Sequence, residues 1–229
     1  MFANTFPDRA EMARMTARML LEIKAVNFRP DQPYTLASGM VSPSYIDCRE
    51  LISYPRIRSA LVDFMVASVY RDVGFEAFDS VAGGETGGIP YGAWMADRMG
   101  LPMQYVRKKS KGYGKNSQVE GVLHVGQRVL LAEDMTTDGG SKVKFVEAIR
   151  AAGGQCNHTS LVFFYDIFPG TRERLAEHNI TLHYLATWHD VLAEAGDYFD
   201  AKTIAEVRNF FANPFGWSKA HGGVAPSGN

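Results

Sequence analysis

A chain of 229 residues has the length of one large domain, and 46% apolar with 21% charged residues is the composition of an ordinary globular protein. A net charge of −1 supplies no global field to draw in nucleic acid or a membrane surface, so any anion site must be local. Two cysteines, Cys48 and Cys156, exclude a disulfide framework and favour a reducing, cytoplasmic setting; no signal peptide opens the chain, and no run of 18 apolar residues predicts a membrane span.

In chain order, Asp8 to Val26 carries apolar residues at Met12, Met15, Met19, Leu20 and Ile23, a helical spacing with Asp8 placed to cap it. The polar, proline-bearing stretch up to residue 55 reads as loop with short extended pieces, and the first 55 residues, which do not alternate as the rest does, are expected to form a separate cap over the sheet. Pro55 opens a second helix bearing Ile57, Leu61, Phe64, Met65 and Val69. Then strands and helices alternate: FDSVAGG into a glycine loop, a helix with Trp94 and Met95 in the core, LPMQYVRKK, QRVLLAED, a helix from Ser141 closed by glycines, HTSLVFFYD, a helix around Arg172–His178, and ITLHYLA before terminal helical segments. That alternation predicts a mostly parallel α/β sheet. The tail from Trp217 reads as a frayed terminus. Six scattered histidines without HxxxH or paired-cysteine spacing predict no structural zinc site.

In such sheets ligands sit at the carboxyl ends of strands. Two loops fit: Gly83-Gly84-Glu85-Thr86-Gly87-Gly88, and the stretch after Glu133 and Asp134. Residues 136–141, Thr-Thr-Asp-Gly-Gly-Ser, offer amides, hydroxyls and a helix N-terminus, a cradle for phosphate. Two carboxylates beside that cradle repel phosphate unless they bind hydroxyls or a divalent cation; a sugar phosphate would use both halves. A Walker B strand would need a GxxxxGK[ST] partner and a dinucleotide fold a GxGxxG, and the chain has neither. Two tight strand-to-helix turns are the plainer alternative. Residues 107–121, RKKSKGYGKNSQVEG, place five of the 24 basic residues within nine positions (107–115). A charge run is ordinarily a solvated loop, but this one comes after a strand that delivers it to the same edge, and a cationic loop there suits a departing polyphosphate.

VLLAEDMTTDGGS resembles the phosphoribosyl pyrophosphate (PRPP) signature of type I phosphoribosyltransferases. RKKSKGYGKNSQVEG resembles the catalytic loop of orotate phosphoribosyltransferases, YTLASGMVSPSYIDCREL their base-binding segment, and GGETGGIP their pyrophosphate-side loop. The resemblance spans roughly residues 20–165, with the four motifs in the family's order. The resemblance implies one phosphoribosyltransferase domain. Its parts are a helix and hood segment (about 1–55), an α/β core with a parallel sheet and flanking helices (about 56–212) and a tail (about 213–229). It also implies a cytoplasmic homodimer whose basic loop reaches into the neighbour's site, and Mg²⁺ carried by PRPP rather than by a protein cage. Carried over residue by residue, Glu133 and Asp134 would hold the ribose hydroxyls, with Met135 beside them. Thr136, Thr137, Asp138, Gly139, Gly140 and Ser141 would wrap the 5-phosphate, Thr137 also touching orotate. Arg107, Lys108, Lys111 and Tyr113 would meet pyrophosphate, with Lys111 the catalytic cation.

Four positions depart from the family pattern. Ala37 stands where some orotate enzymes have lysine; Tyr113 replaces the histidine of KxHG; Asp166-Ile167 replaces Asp-Arg; and Asp138 sits where a small neutral residue is common, so its carboxylate should turn from the phosphate toward a metal or a lysine such as Lys142. With that arginine missing, Arg49 and the segment Ser42–Tyr45 are the candidates for the orotate carboxylate, Arg49 having a structural ion pair as its alternative role. FYDIFPG, 164–170, is either a base-pocket rim or a plain turn. Transfer to another base, or a PRPP-binding regulator without turnover, are the competing functions.

Overall fold

The computed structural model describes residues 8–36, 38–110 and 118–224. Helix α1 (Arg9–Glu22) starts at Asp8, whose carboxylate accepts from the Glu11 amide at 2.8 Å. Four short strands come next: β1 (Val26–Phe28), β2 (Tyr34–Thr35), β3 (Val41–Ser42) and β4 (Ser44–Ile46). Then come α2 (Pro55–Asp72), β5 (Ser80–Gly84), α3 (Gly88–Met99), β6 (Met103–Val106), β7 (Val119–Glu120), β8 (Arg128–Thr136), α4 (Gly140–Ala151), β9 (Gln155–Phe164), α5 (Thr171–Glu177), β10 (Thr181–Thr187), α6 (Trp188–Glu194), α7 (Ala201–Ala212) and α8 (Pro214–Ala220).

The main sheet has the order β10-β9-β8-β5-β6-β7, parallel except for β7, which runs antiparallel to β6. Helices α1, α2 and α3 pack on one face and α4 and α5 on the other, so two apolar layers enclose the strands. The expected alternation is therefore present, and Trp94 and Met95 lie on α3 with Met95 fully buried.

Four expectations are corrected. Helix α1 packs against β10 and α6, so only the pairs β1–β4 and β2–β3 form the hood. The segment 107–121 is not all loop, because Val119 and Glu120 return along β6 as β7. The tail is not frayed at Trp217: α8 is seated on the hood, with the Val41 amide donating to Ser218 Oγ at 2.9 Å and that hydroxyl donating to Val224 O at 3.0 Å. Finally, β8 does not stop at its acids. Pairing to β9 continues through Glu133↔Leu161, Met135↔Phe163 and Thr136↔Phe164, so both acids are strand residues.

On the α1/α2 face, His158 Nδ1 and His183 Nε2 lie 3.0 Å apart, and His183 Nδ1 is 3.5 Å from Asp72. Burial pushes both imidazoles below their ordinary value; the His158 ring and Arg9 push His183 further down, while Asp72 pulls it back. A depressed imidazole is neutral in the fold and takes up its proton on unfolding. Its stability contribution is present above the unfolded value of 6.5 and is lost as pH falls through the lower folded value. The thermal midpoint should therefore drop between about pH 7 and about pH 5, and less steeply in His183→Gln. Equal slopes in a calorimetric pH series would contradict this.

Candidate active site

At the carboxyl ends of β5, β6 and β8 lies a cavity of ≈ 980 Å³. Hood residues Tyr45 and Arg49 line one side. The glycine loop contributes Glu85, Thr86 and Gly87, the end of β8 contributes Glu133, Asp134 and Met135, and the loop into α4 contributes Thr137, Asp138 and Ser141. Lys108, Lys109 and Gln118 mark the rim where the basic segment leaves and re-enters.

Neighbouring strand residues point to opposite faces. Because β8 runs to Thr136, Glu133 and Asp134 are divided by the sheet. Asp134 turns to the hood side, where its charge, after burial, helps push the Cys48 thiol and the Tyr91 hydroxyl up. Tyr91 donates to Cys48 O at 3.0 Å and so ties the hood to α3. Glu133 turns to the other face, where it is 3% exposed and meets Lys142 Nζ, 2.6 Å from Oε2. Both acids border the cavity, but Glu133 reaches it from the opposite side of the strand to Asp134. Burial raises its carboxyl above the ordinary carboxylate range, against the opposing charge and hydrogen bond of Lys142.

The two acids also explain the glycine loop. A Cβ at Gly84 would overlap Glu133 Oε1 and crowd the Phe145 ring, and one at Gly87 would collide with Asp134 Oδ2. The peptide between Glu85 and Thr86 is cis. Glu85 accepts from the Lys108 amide at 2.7 Å, which joins this loop to the start of the basic segment.

Beyond Asp134, Gly139 takes φ 79° and opens α4, a left-handed turn that suits glycine. Asp138 Oδ1 accepts from the Gly140 amide at 3.2 Å, so a carboxylate already sits where an anion belongs at a helix N-terminus. Its partner is Arg174, 3.3 Å away on α5, rather than the expected Lys142, which is committed to Glu133. Thr136 is buried, while Thr137 and Ser141 face the cavity.

On the base side, Arg49 is held by two hydrogen bonds to Asp47, at 2.9 and 3.0 Å, yet its side chain is 61% exposed and borders the cavity. That ion pair keeps Asp47 ionised below its ordinary value despite partial burial. The stretch 164–170 is rim as well as turn: Tyr165 stacks on Phe168 at 6.0 Å and Phe168 on Phe215 of α8 at 6.2 Å, and all three rings line the cavity. Asp166 pairs with Arg172. Arg107 turns toward Glu120, 3.9 Å away, and is not among the residues that border the cavity. Ala37, Lys111 and Tyr113 lie outside the described residues. The sequence offers Lys142 only as a partner for Asp138, not for Glu133. Arg174 and Phe215 are brought in by α5 and α8, with no local signal.

The phosphoribosyl transferase domain model matches residues 55–176. An orotate phosphoribosyltransferase of Cereibacter sphaeroides (strain ATCC 17029 / ATH 2.4.9) is 61% identical over 229 residues, covering 99% of each chain. One from Ruegeria sp. (strain TM1040) is 58% identical over 223 residues, 96% of this chain and 99% of that one. Among solved structures, the orotate phosphoribosyltransferase of Aeropyrum pernix superposes with a TM-score of 0.70 at 31% identity, over 81% of this chain and all of that one. The longer Leishmania donovani UMP synthase superposes with 0.74 at 26% identity, over 87% of this chain and 42% of that chain.

If the glycines are set by the acids, Gly84→Ala should lower the unfolding free energy by about 1–3 kcal/mol through overpacking. Gly140→Ala, whose new methyl would meet nothing closer than the Asp138 carboxylate at 3.5 Å, should stay within about 0.5 kcal/mol. Chemical denaturation reads both; equal losses would contradict the packing argument.

Proposed function

The chain belongs to the phosphoribosyl transferase family and, within it, to the orotate phosphoribosyltransferases, and from that premise we infer how its cleft performs the reaction. The enzyme transfers the 5-phosphoribosyl group of PRPP to orotate, giving orotidine 5′-phosphate and pyrophosphate, a step of pyrimidine biosynthesis. The observation that carries the residue assignment is that one cavity joins the diol acid, the phosphate cradle, the hood and the basic rim.

In this reading Asp134 accepts from the ribose hydroxyls from the hood side, Glu133 from the opposite face, and Thr137 to Ser141 wrap the 5-phosphate at the start of α4. The anomeric carbon–oxygen bond breaks as a ring nitrogen of orotate bonds to that carbon, the electron pair leaves with the diphosphate, and the proton lost from that nitrogen passes to the diphosphate or to solvent. The protein then needs position, cations on the leaving group and exclusion of water rather than a nucleophile of its own. Lys108 and Lys109 stand at the leaving-group edge with Gln118, and Lys111 and Tyr113 lie between them in the chain. Arg107 takes a lesser part, its guanidinium being turned to Glu120. Arg49, steadied by Asp47, is the cation for the orotate carboxylate, with Tyr45 and the rings of Phe168 and Phe215 as apolar walls.

Among the described residues no three carboxylate, histidine or cysteine side chains gather as a metal cage. Asp134 with phosphate oxygens and water fits Mg²⁺, which binds through one or two carboxylates and substrate phosphates. When bound with PRPP the ion neutralises charge on the diphosphate. A cytoplasmic homodimer sharing the basic segment across its interface completes the proposal; it rests on the motif resemblance, and no described helix is long and apolar enough to cross a membrane.

With PRPP and Mg²⁺ present, orotate absorbance should fall; unchanged orotate with intact PRPP binding would indicate a regulator, and consumption of a purine instead would indicate another base. Arg49→Ala should raise the orotate KM about tenfold or more and the PRPP KM by less than about threefold, and Phe215→Ala should act in the same direction but less strongly. Equal effects of Arg49→Ala on both substrates would remove that assignment.

A further inference from the structure

We propose that Lys142 is a positioning residue for the sugar donor: its buried ammonium keeps Glu133 a hydrogen-bond acceptor and cancels that carboxylate's charge beside the donor's phosphates. The inference rests on the PRPP reading of the cleft and adds a residue that the acid-pair and cradle motifs leave out. Both side chains are enclosed, Lys142 at 4% and Glu133 at 5% exposure, and Nζ lies 2.6 Å from Oε2. The other oxygen, Oε1, is buried with no hydrogen-bond partner in the structure and lies against Gly84 and Gly88, although Glu133 and Lys142 both contribute to the cavity surface. An enclosed acceptor left over in a ligand cleft is a group held ready for a donor such as a sugar hydroxyl.

Two physical needs meet in the ammonium. A carboxyl group taken out of water without a counter-ion is protonated near neutral pH, and a protonated carboxyl donates where an acceptor is required. An uncompensated second carboxylate would also repel a donor that carries three phosphoryl groups. The charged groups that face Glu133 are Lys142 from α4, Lys108 from the end of β6 and Asp134 on its own strand; Gly84, Gly88 and Phe145 bring no charge. Lys142 lies in the first turn of α4, one residue past the cradle, so the same ion pair fixes the spacing between the diol acids on β8 and the phosphate amides on α4.

Wild type, Lys142→Met and Lys142→Met/Glu133→Met are compared by calorimetric PRPP binding with Mg²⁺ and by steady-state kinetics. Lys142→Met should weaken PRPP binding and raise the PRPP KM about tenfold or more, with the orotate KM within about threefold. The double variant should also bind PRPP weakly, because the acceptor is gone. PRPP affinity at the wild-type level in Lys142→Met overturns the proposal. Should that variant fail to fold, the double variant, which buries no charge, decides: wild-type affinity there assigns the pair a structural role only. Wild-type protein that neither binds PRPP nor consumes orotate would overturn the reading of the cleft as well, whereas an active wild type with indifferent variants overturns this inference alone.

Discussion

A carboxylate and an ammonium 2.6 Å apart, both shielded from water, fasten the end of β8 to the first turn of α4. Removing one partner of such a pair costs about 3–5 kcal/mol, because the other is left buried and uncompensated. Every ligand-facing feature of the cleft is referred to that fastening. It sets how far the phosphate cradle stands from the acids, and why glycines flank the loop after β5. Gly84 and Gly88 make room for Glu133, as Gly87 does for Asp134.

The cleft must receive a highly anionic donor in a chain whose net charge is −1. It does so by pairing its own anions first. Glu133 is matched by Lys142, Asp138 by Arg174 and Asp47 by Arg49, so that Asp134 is the carboxylate at the end of β8 that faces the cavity without such a match among the described ion pairs. Lys108 and Lys109 remain at the opposite rim. Asp134 at the diol position and cations where the diphosphate leaves match the direction in which charge separates as the anomeric carbon–oxygen bond breaks, while Glu85 on the cationic side is held by the Lys108 amide.

Much of this architecture was legible in the residues. Apolar runs alternating with amphipathic stretches gave the parallel sheet, and the acids with hydroxyls and glycines after them located the cradle. What the chain did not disclose were the long-range consequences. Glu133 and Asp134 read as a strand end because charges usually stop a buried strand. Lys142 on one face and the open cavity on the other instead allow pairing to continue to Thr136, and alternation then separates the acids. Lys142 itself looks like an ordinary polar residue at a helix start; only the register of β8 against α4 shows its partner. Phe215 and Ser218 were unreadable for a similar reason, since their neighbours, Phe168 and Val41, are 47 and 177 positions away.

The most direct measurement is a crystal structure with PRPP and Mg²⁺ bound. Ribose hydroxyls are predicted on Asp134 and on Glu133 Oε1, the 5-phosphate on the amides of 137–141 in place of the Asp138 carboxylate, and the Lys142–Glu133 contact unbroken. A sugar seated elsewhere, or Lys142 swung away from Glu133 onto a phosphate, would contradict this picture of the cleft.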